Sequence, residues 1–286
     1  MKHHDVSRLQ EGLNSAGYDS GLLDGILGPV TLSAAATYLY QEFGEDGVAE
    51  DALARLKTKP STELLPGIDV SAYNGEIDWK TVAEAGIKYC WVKCSEGTTH
   101  ENSRRQENLD GARAFGIHAA GYHFARPDTY QSLQLKDAKN EAHNFLQCYG
   151  TPQPDDLVPM VDLESGLLKN DHNYNIDWIN EWCYTVEQEL GLKPRKIVMY
   201  TARWATTSRI LKAEAGLLRQ LSEHPLWWAE YHDEEVTEPS KIMKPWKNWD
   251  IWQWTGHGSV PGIKGRVDEN WMKAESLEKL KFGSST

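Results

Sequence analysis

The chain has 286 residues, enough for one large or two smaller domains. At 40% hydrophobic and 25% charged residues it has a globular composition, which excludes an extended disordered chain. A formal charge of -12 disfavours nucleic acid as a partner, since phosphate binding needs clustered Lys and Arg, and no apolar run approaches the ~20 residues of a membrane span.

The first residues carry no apolar stretch of the secretory-signal type, so synthesis as a cytoplasmic polypeptide is expected, with release by some other agent if the protein works outside. Residues 1–56 read as three helices. Val6, Leu9 and Leu13 have helical spacing and Gly17 stops the run. Asp24-Gly25 and Gly28-Pro29 mark a turn. A second helix opens at Thr31 and ends at Gly44, and residues 47–56 form a third. Residues 57–66, with Pro60 and Pro66, read as a linker.

From Gly67 the pattern changes to short β-rich runs alternating with helical segments. Strands are predicted at 67–71, 87–95, 117–125, 157–164, 196–201, 225–231 and 249–255, and helices at 79–86, 102–115, 134–149, 173–191 and 203–212. Serial β-then-α units imply a parallel sheet with right-handed crossovers, and residues 67–286 suit an irregular β/α barrel better than two open sheets. The last third reads as strands joined by loops, so the fold class expected is α/β, a barrel with fewer helices than strands behind a small all-α domain.

A β/α barrel carries its active site at the C-terminal ends of its strands. The polar residues there are Asp69, Glu96, Tyr122 and His123, Asp162 and Glu164, Tyr200, then Glu230 and Tyr231, with Asp268 near the C-terminus. Residues i and i+2 on a strand share a face with Cα atoms about 6.5–7 Å apart. Asp162 and Glu164 would thus face one mouth. Such a pair can cleave a glycosidic bond, one acid protonating the leaving oxygen while an anion stabilises the oxocarbenium-like state. Like charges so close push one pKa up and keep one group protonated. An isolated Asp-x-Glu is more often a solvated strand end, and a metal site would need the nearby His pair that is missing here.

His123 has two readings, a substrate contact or a histidine satisfied by a neighbouring carboxylate. Twelve tryptophans are many. Most belong in the core, with Trp178 and Trp182, four apart on a helix, packed against the barrel. Aromatic rings facing a groove also stack on sugars. Trp228, Trp252 and Trp254 are candidates, and one of the last two is expected to reach the groove. Cys90, Cys94, Cys148 and Cys183 lack metal spacing and read as buried free thiols, so no metal and no cofactor is expected.

In order and spacing, "GIDVSAYNGEIDW", "VKCSEGTT", "GIHAAGYHF", "PMVDLE", "VMYT", "LWWAEY" and "DIWQWTGHGSVPGIKGRVDEN" resemble glycoside hydrolase family 25, the Chalaropsis-type lysozymes or muramidases, from residue 67 to about 272. The resemblance implies an irregular β/α barrel hydrolysing the β-1,4 bond between N-acetylmuramic acid and N-acetylglucosamine in peptidoglycan. It implies Glu164 as general acid and Asp162 as the partner that attacks the sugar or orients its N-acetyl group. It also implies Asp69 and Asp268 as further cleft acids, and Tyr122 and Tyr200 beside the scissile sugar. Glu96, His123, Trp228, Tyr231, Trp252 and Trp254 complete the substrate-contact candidates. Cys94 and Glu230 depart from the usual pattern and bear on substrate fit.

Residues 1–56 resemble the small three-helix peptidoglycan-binding domain, through "DVSRLQEGLNSAGY" and "LLDGILGPVTLSAAATYL". With the missing secretory signal, these resemblances imply a phage endolysin acting on the bacterial wall after release, and a monomer is expected. A non-catalytic glycan-binding protein and a different glycosidase, such as a chitinase, are the alternatives.

Overall fold

The computed structural model describes residues 64–128, 135–231, 238–239 and 244–284. The expected three-helix domain and most of the linker lie outside these residues. The described chain starts within a strand, β1 (Leu64–Val70), which takes up the last residues assigned to the linker.

The other strands are β2 (Tyr89–Glu96), β3 (His100–Glu101), β4 (His118–Phe124), β5 (Met160–Asp162), β6 (Val198–Ala202), β7 (Leu226–Ala229), β8 (Ile251–Gly258) and β9 (Val267–Lys273). Strands β1, β2, β4, β5, β6, β7 and β8 pair in parallel in that order. Strand β9 lies antiparallel between β8 and β1 and closes an eight-stranded barrel. β3 folds back on β2 outside the ring. The helices are α1 (Trp79–Glu84), α2 (Arg105–Ala114), α3 (Lys136–Tyr149), α4 (His172–Leu190), α5 (Arg203–Arg209), α6 (Ala215–Leu221) and α7 (Ala274–Leu280).

Three sequence expectations need correction. β9 was not foreseen, and α6 and α7 lie in the third expected to lack helices; two turns carry too little periodicity to stand out. The run 157–164 forms ladder only at Met160–Asp162, because Pro159 has no N–H to give. The chain on its N-terminal side is held instead by Leu157 N donating to Ala119 O at 2.9 Å and Val158 N to Leu280 O at 2.8 Å.

Strand alternation divides the side chains into two cores. Those pointing into the barrel include Tyr89, Trp91, Ala120, Met160, Val198, Tyr200, Trp227, Ile251 and Met272. Those pointing out toward the helices include Ile68, Cys90, Val92, Cys94, Val161, Leu163, Met199, Trp228 and Trp252. Trp91 and Trp227 meet inside the barrel at 4.9 Å between ring centres, and each finds an acceptor for its indole N–H, Val158 O at 3.2 Å and Asn270 Oδ1 at 3.0 Å. These large rings fill the interior of the barrel beneath its C-terminal mouth. Trp178 and Trp182 of α4 are fully buried against the sheet, and the four cysteines are buried free thiols, both in line with the sequence.

Candidate active site

The residues that alternate inward at the C-terminal strand ends line a cleft of about 300 Å³. Its walls carry Asp69 from β1, Tyr122 from β4, Asp162 and Glu164 from the end of β5, Tyr200 from β6, Tyr231 beyond β7 and Asp268 from β9. All four expected carboxylates therefore share one mouth with three of the expected aromatics. Lys93, Phe124, Gln253 and Tyr73 also line it, none of them foreseen.

Backbone hydrogen bonds fix the Asp-x-Glu segment. Ala125 N donates to Asp162 O at 3.1 Å and Leu163 N to Tyr200 O at 2.9 Å, which extends the strand geometry past Asp162 and keeps Glu164 facing inward. Gly166 then passes so close to β4 that a Cβ there would collide with the Ala125 carbonyl. Only glycine lets the chain leave the strand at this point.

Asp69 and Asp268 face each other directly across the β1–β9 ladder. Like charges so placed repel, and two fixed amide donors meet Asp69. Trp227 Nε1 can only donate, so the Asn270 oxygen faces it and the Asn270 amide N–H faces Asp69 Oδ2, at 2.8 Å. Gln253 Nε2 donates to the same oxygen at 2.9 Å, and Gln253 Oε1 accepts the hydroxyls of Tyr200 at 2.7 Å and Tyr231 at 2.8 Å. Burial, then the Asp268 charge, push the Asp69 carboxyl well above its usual range. Burial also raises Asp268, against its hydrogen bond with Asp69.

Asp162 is 8% exposed, and its Oδ1 is buried without a hydrogen-bond partner. Burial and the neighbouring Glu164 raise its pKa, while Lys93 pulls it down. Glu164 is raised by burial and by Asp268, against a hydrogen bond with Tyr200. A buried carboxyl kept protonated beside a second one is the arrangement that acid-assisted bond cleavage needs.

Five of the expected contacts are elsewhere. His123 has 0% exposure and points out to α3, with Nδ1 at 2.8 Å from Ser95 Oγ and Nε2 at 2.7 Å from Glu141 Oε2. The carboxylate-satisfied reading of this histidine is the one observed. Burial holds its pKa at about 3 and raises Glu141 to about 8. Trp228 and Trp252 lie in the outer core, with indole N–H groups bound to Glu230 Oε2 at 3.0 Å and Glu230 O at 2.8 Å. Trp254 packs against that same core, so neither Trp252 nor Trp254 reaches the cleft. Glu96 stands behind the wall, tying Lys93 to Arg126. The reason for four of them is alternation. Each of His123, Trp228, Trp252 and Trp254 is one residue away from an inward-facing neighbour, and a one-residue step reverses the face. The aromatic lining is Tyr and Phe, and contains no Trp.

Tyr73 is 99% exposed at the mouth. It sits in a 3-10 turn, Ala72–Asn74, whose capping box pairs Ser71 with Asn74, and Asn74 Nδ2 is tied to Arg266 O at 3.2 Å. The strand-end rule missed it because it lies on the loop after β1. Among the described residues no group of His, Cys, Asp and Glu is arranged to hold a metal ion.

The family model of glycosyl hydrolases family 25 matches residues 68–263. Lysozyme M1 of Streptomyces globisporus is 26% identical over 257 residues, covering 85% of this chain and 79% of its own. The N,O-diacetylmuramidase of Chalaropsis sp is 23% identical over 242 residues, covering 76% of this chain and 99% of its own. The crystal structure of a bacterial lysozyme from Streptomyces coelicolor superposes with a TM-score of 0.65 at 27% identity, covering 78% of this chain and all of that one. A family match over more than half the sequence agrees with a closed barrel whose acids converge where the fold requires, and the chain belongs to glycosyl hydrolases family 25.

Proposed function

We propose that the protein is a muramidase, cleaving the β-1,4 bond between N-acetylmuramic acid and N-acetylglucosamine in peptidoglycan. The observation that carries this reading is the pair Asp162 and Glu164, side by side in an open cleft, each with its proton held more tightly than usual. The lysozyme and muramidase relatives support the choice of substrate.

Glu164 gives its proton to the glycosidic oxygen as the C1–O bond breaks. Tyr200, whose hydroxyl donates to Gln253 Oε1 at 2.7 Å, stands beside Glu164 in the cleft wall. Asp162 supplies negative charge to the developing oxocarbenium ion, by attack on C1 or by orienting the substrate's N-acetyl group. Water then completes hydrolysis. Asp69 anchors the Gln253–Tyr200–Tyr231 network, and Tyr73 and Tyr231 offer ring faces to sugars.

Purified peptidoglycan treated with the full chain should lose turbidity and release fragments with new reducing N-acetylmuramic acid ends by mass analysis. Reducing N-acetylglucosamine ends, or amidase or peptidase products, would refute the reading.

Residues 1–56 are proposed to hold the enzyme on its insoluble substrate by raising the effective concentration of wall at the cleft. Deleting residues 1–60 should reduce co-sedimentation with insoluble wall more than it slows cleavage of soluble fragments. Equal sedimentation of both forms would exclude that role. Paired with a muramidase, such a module fits lysis of a host cell by a phage enzyme working as a monomer.

A further inference from the structure

The cleft has four carboxylates and one lysine. Lys93 is nearly buried, with 13% of its side chain exposed, and its Nζ lies 2.5 Å from Glu96 Oε2. Glu96 is itself engaged by Arg126, through Nε at 2.9 Å and Nη2 at 2.7 Å to Oε1. Both cations cover the ring of Phe124, Lys93 Nζ at 5.0 Å and the Arg126 guanidinium carbon at 4.6 Å from its centre. Arg126 is anchored by its backbone N–H, which donates to Glu141 Oε2 at 3.0 Å. The cluster thus holds two positive charges and one negative, a surplus of one positive charge.

That surplus sits beside Asp162. Phe124 is the direct partner of Asp162 in the β4–β5 ladder, and both line the cleft with Lys93. The charged and titratable groups that act on Asp162 are Asp69 from β1, Lys93 and Glu96 from β2, Tyr122 from β4, Glu164 beyond its own strand and Tyr200 from β6. Among the described residues, Lys93 is the cation in this set. Asp162 Oδ1 has no hydrogen bond to stabilise a charge, and the positive charge of Lys93 favours the anion. Glu164 has a phenol for a neighbour instead.

We propose that Lys93 is a positioning residue for the reaction: its ammonium, in surplus over Glu96, favours the anion of Asp162, which burial and the neighbouring Glu164 oppose. Glu96 then sets how much of the lysine charge Asp162 feels, and Arg126 keeps Glu96 from cancelling it. This rests on the muramidase reading, and it adds the cation that favours charge on one of two adjacent carboxyls.

Charge removal on either side of the cluster gives opposite effects. The acid limb of the kcat profile reports the ionisation of Asp162. Lys93→Met deletes the cation at similar length, and the limb should move to higher pH by about one unit or more. Lys93→Arg should restore it. Glu96→Gln leaves the cation and removes the anion, and the limb should move to lower pH. A purely structural salt bridge predicts lower activity or melting temperature for both variants with the limb in place. The inference is overturned if neither limb moves, or if both move the same way. If Lys93→Met does not fold, Glu96→Gln decides alone: a shift to lower pH supports the inference, and an unmoved or raised limb overturns it. A wild-type enzyme that releases no reducing N-acetylmuramic acid overturns the functional reading instead, and the two failures are therefore distinct.

Discussion

Glu164→Gln is expected to lower kcat on peptidoglycan by about 10²–10⁴-fold, the range for loss of a general acid, while the protein folds as before. Gln has the size of Glu and the neutral charge of its protonated form. It fits the half-buried site beside Tyr200 without new desolvation, because burial already favours the uncharged carboxyl. What it lacks is an acidic proton, so a poor leaving oxygen departs unassisted. The basic limb of the activity profile should vanish with it, since in the wild type that limb marks Glu164 losing its proton. Turnover within tenfold of wild type, with an unchanged melting temperature, would remove Glu164 from the role of acid.

The catalytic strand ends were legible because two independent patterns coincide in them. Asp69, Asp162 and Tyr200 each close an apolar run, and alternation puts each on the inner face. The same alternation, carried through every strand, would have corrected most of the errors. Counting by twos from Tyr122 excludes His123, and from Tyr231 it excludes Trp228. From Tyr89 and Trp91 it finds Lys93. Residue type led the reading astray there, since histidine and tryptophan look functional wherever they stand. Their structural roles have plain physical causes: an indole needs area and an acceptor, both supplied by the barrel–helix interface, and His123 links β2, β4 and α3 through Ser95 and Glu141.

Other parts were hidden for reasons of geometry. The β2–β4 register shifts between Lys93 and Ser95, so counting fails at Glu96. Asp268 was recognised as an acid, yet its exact opposition to Asp69 depends on β9 running antiparallel, which no local pattern announced. Gln253 and Asn270 are ordinary amides in the sequence. Only the closed barrel brings them within 2.9 Å and 2.8 Å of one carboxylate. The Asp69–Asp268 part of the site is therefore a property of closure, whereas the Asp162–Glu164 part is a property of one strand.

Asp162→Asn should lower activity by about 10²–10³-fold, the range for loss of a fixed transition-state stabiliser, and should also make the protein more stable at neutral pH. Asp69, Asp162, Glu164 and Asp268 all hold their protons more tightly in the folded chain than free carboxyls do, and Glu141 is raised to about 8. A carboxyl raised on folding favours the native state fully below its unfolded pKa of about 4, and that contribution is lost as pH climbs through the folded value. Each pH unit in that window costs up to about 1.4 kcal/mol per raised group. Asp162 bears this cost with its Oδ1 buried and without a hydrogen bond. The Asn side chain never ionises, so its melting temperature at pH 7 should exceed that of the wild type, by about 2–4 °C for each kcal/mol relieved. The gap should close as pH falls toward 4, where Asp162 is protonated in both states. A variant less stable than wild type at pH 7, or a gap independent of pH, would mean that Asp162 is not strained by its burial. Stability given up at neutral pH for a charge in the cleft is the physical mark of a residue kept for chemistry, and in this chain the mark falls on the acid that Lys93 supports.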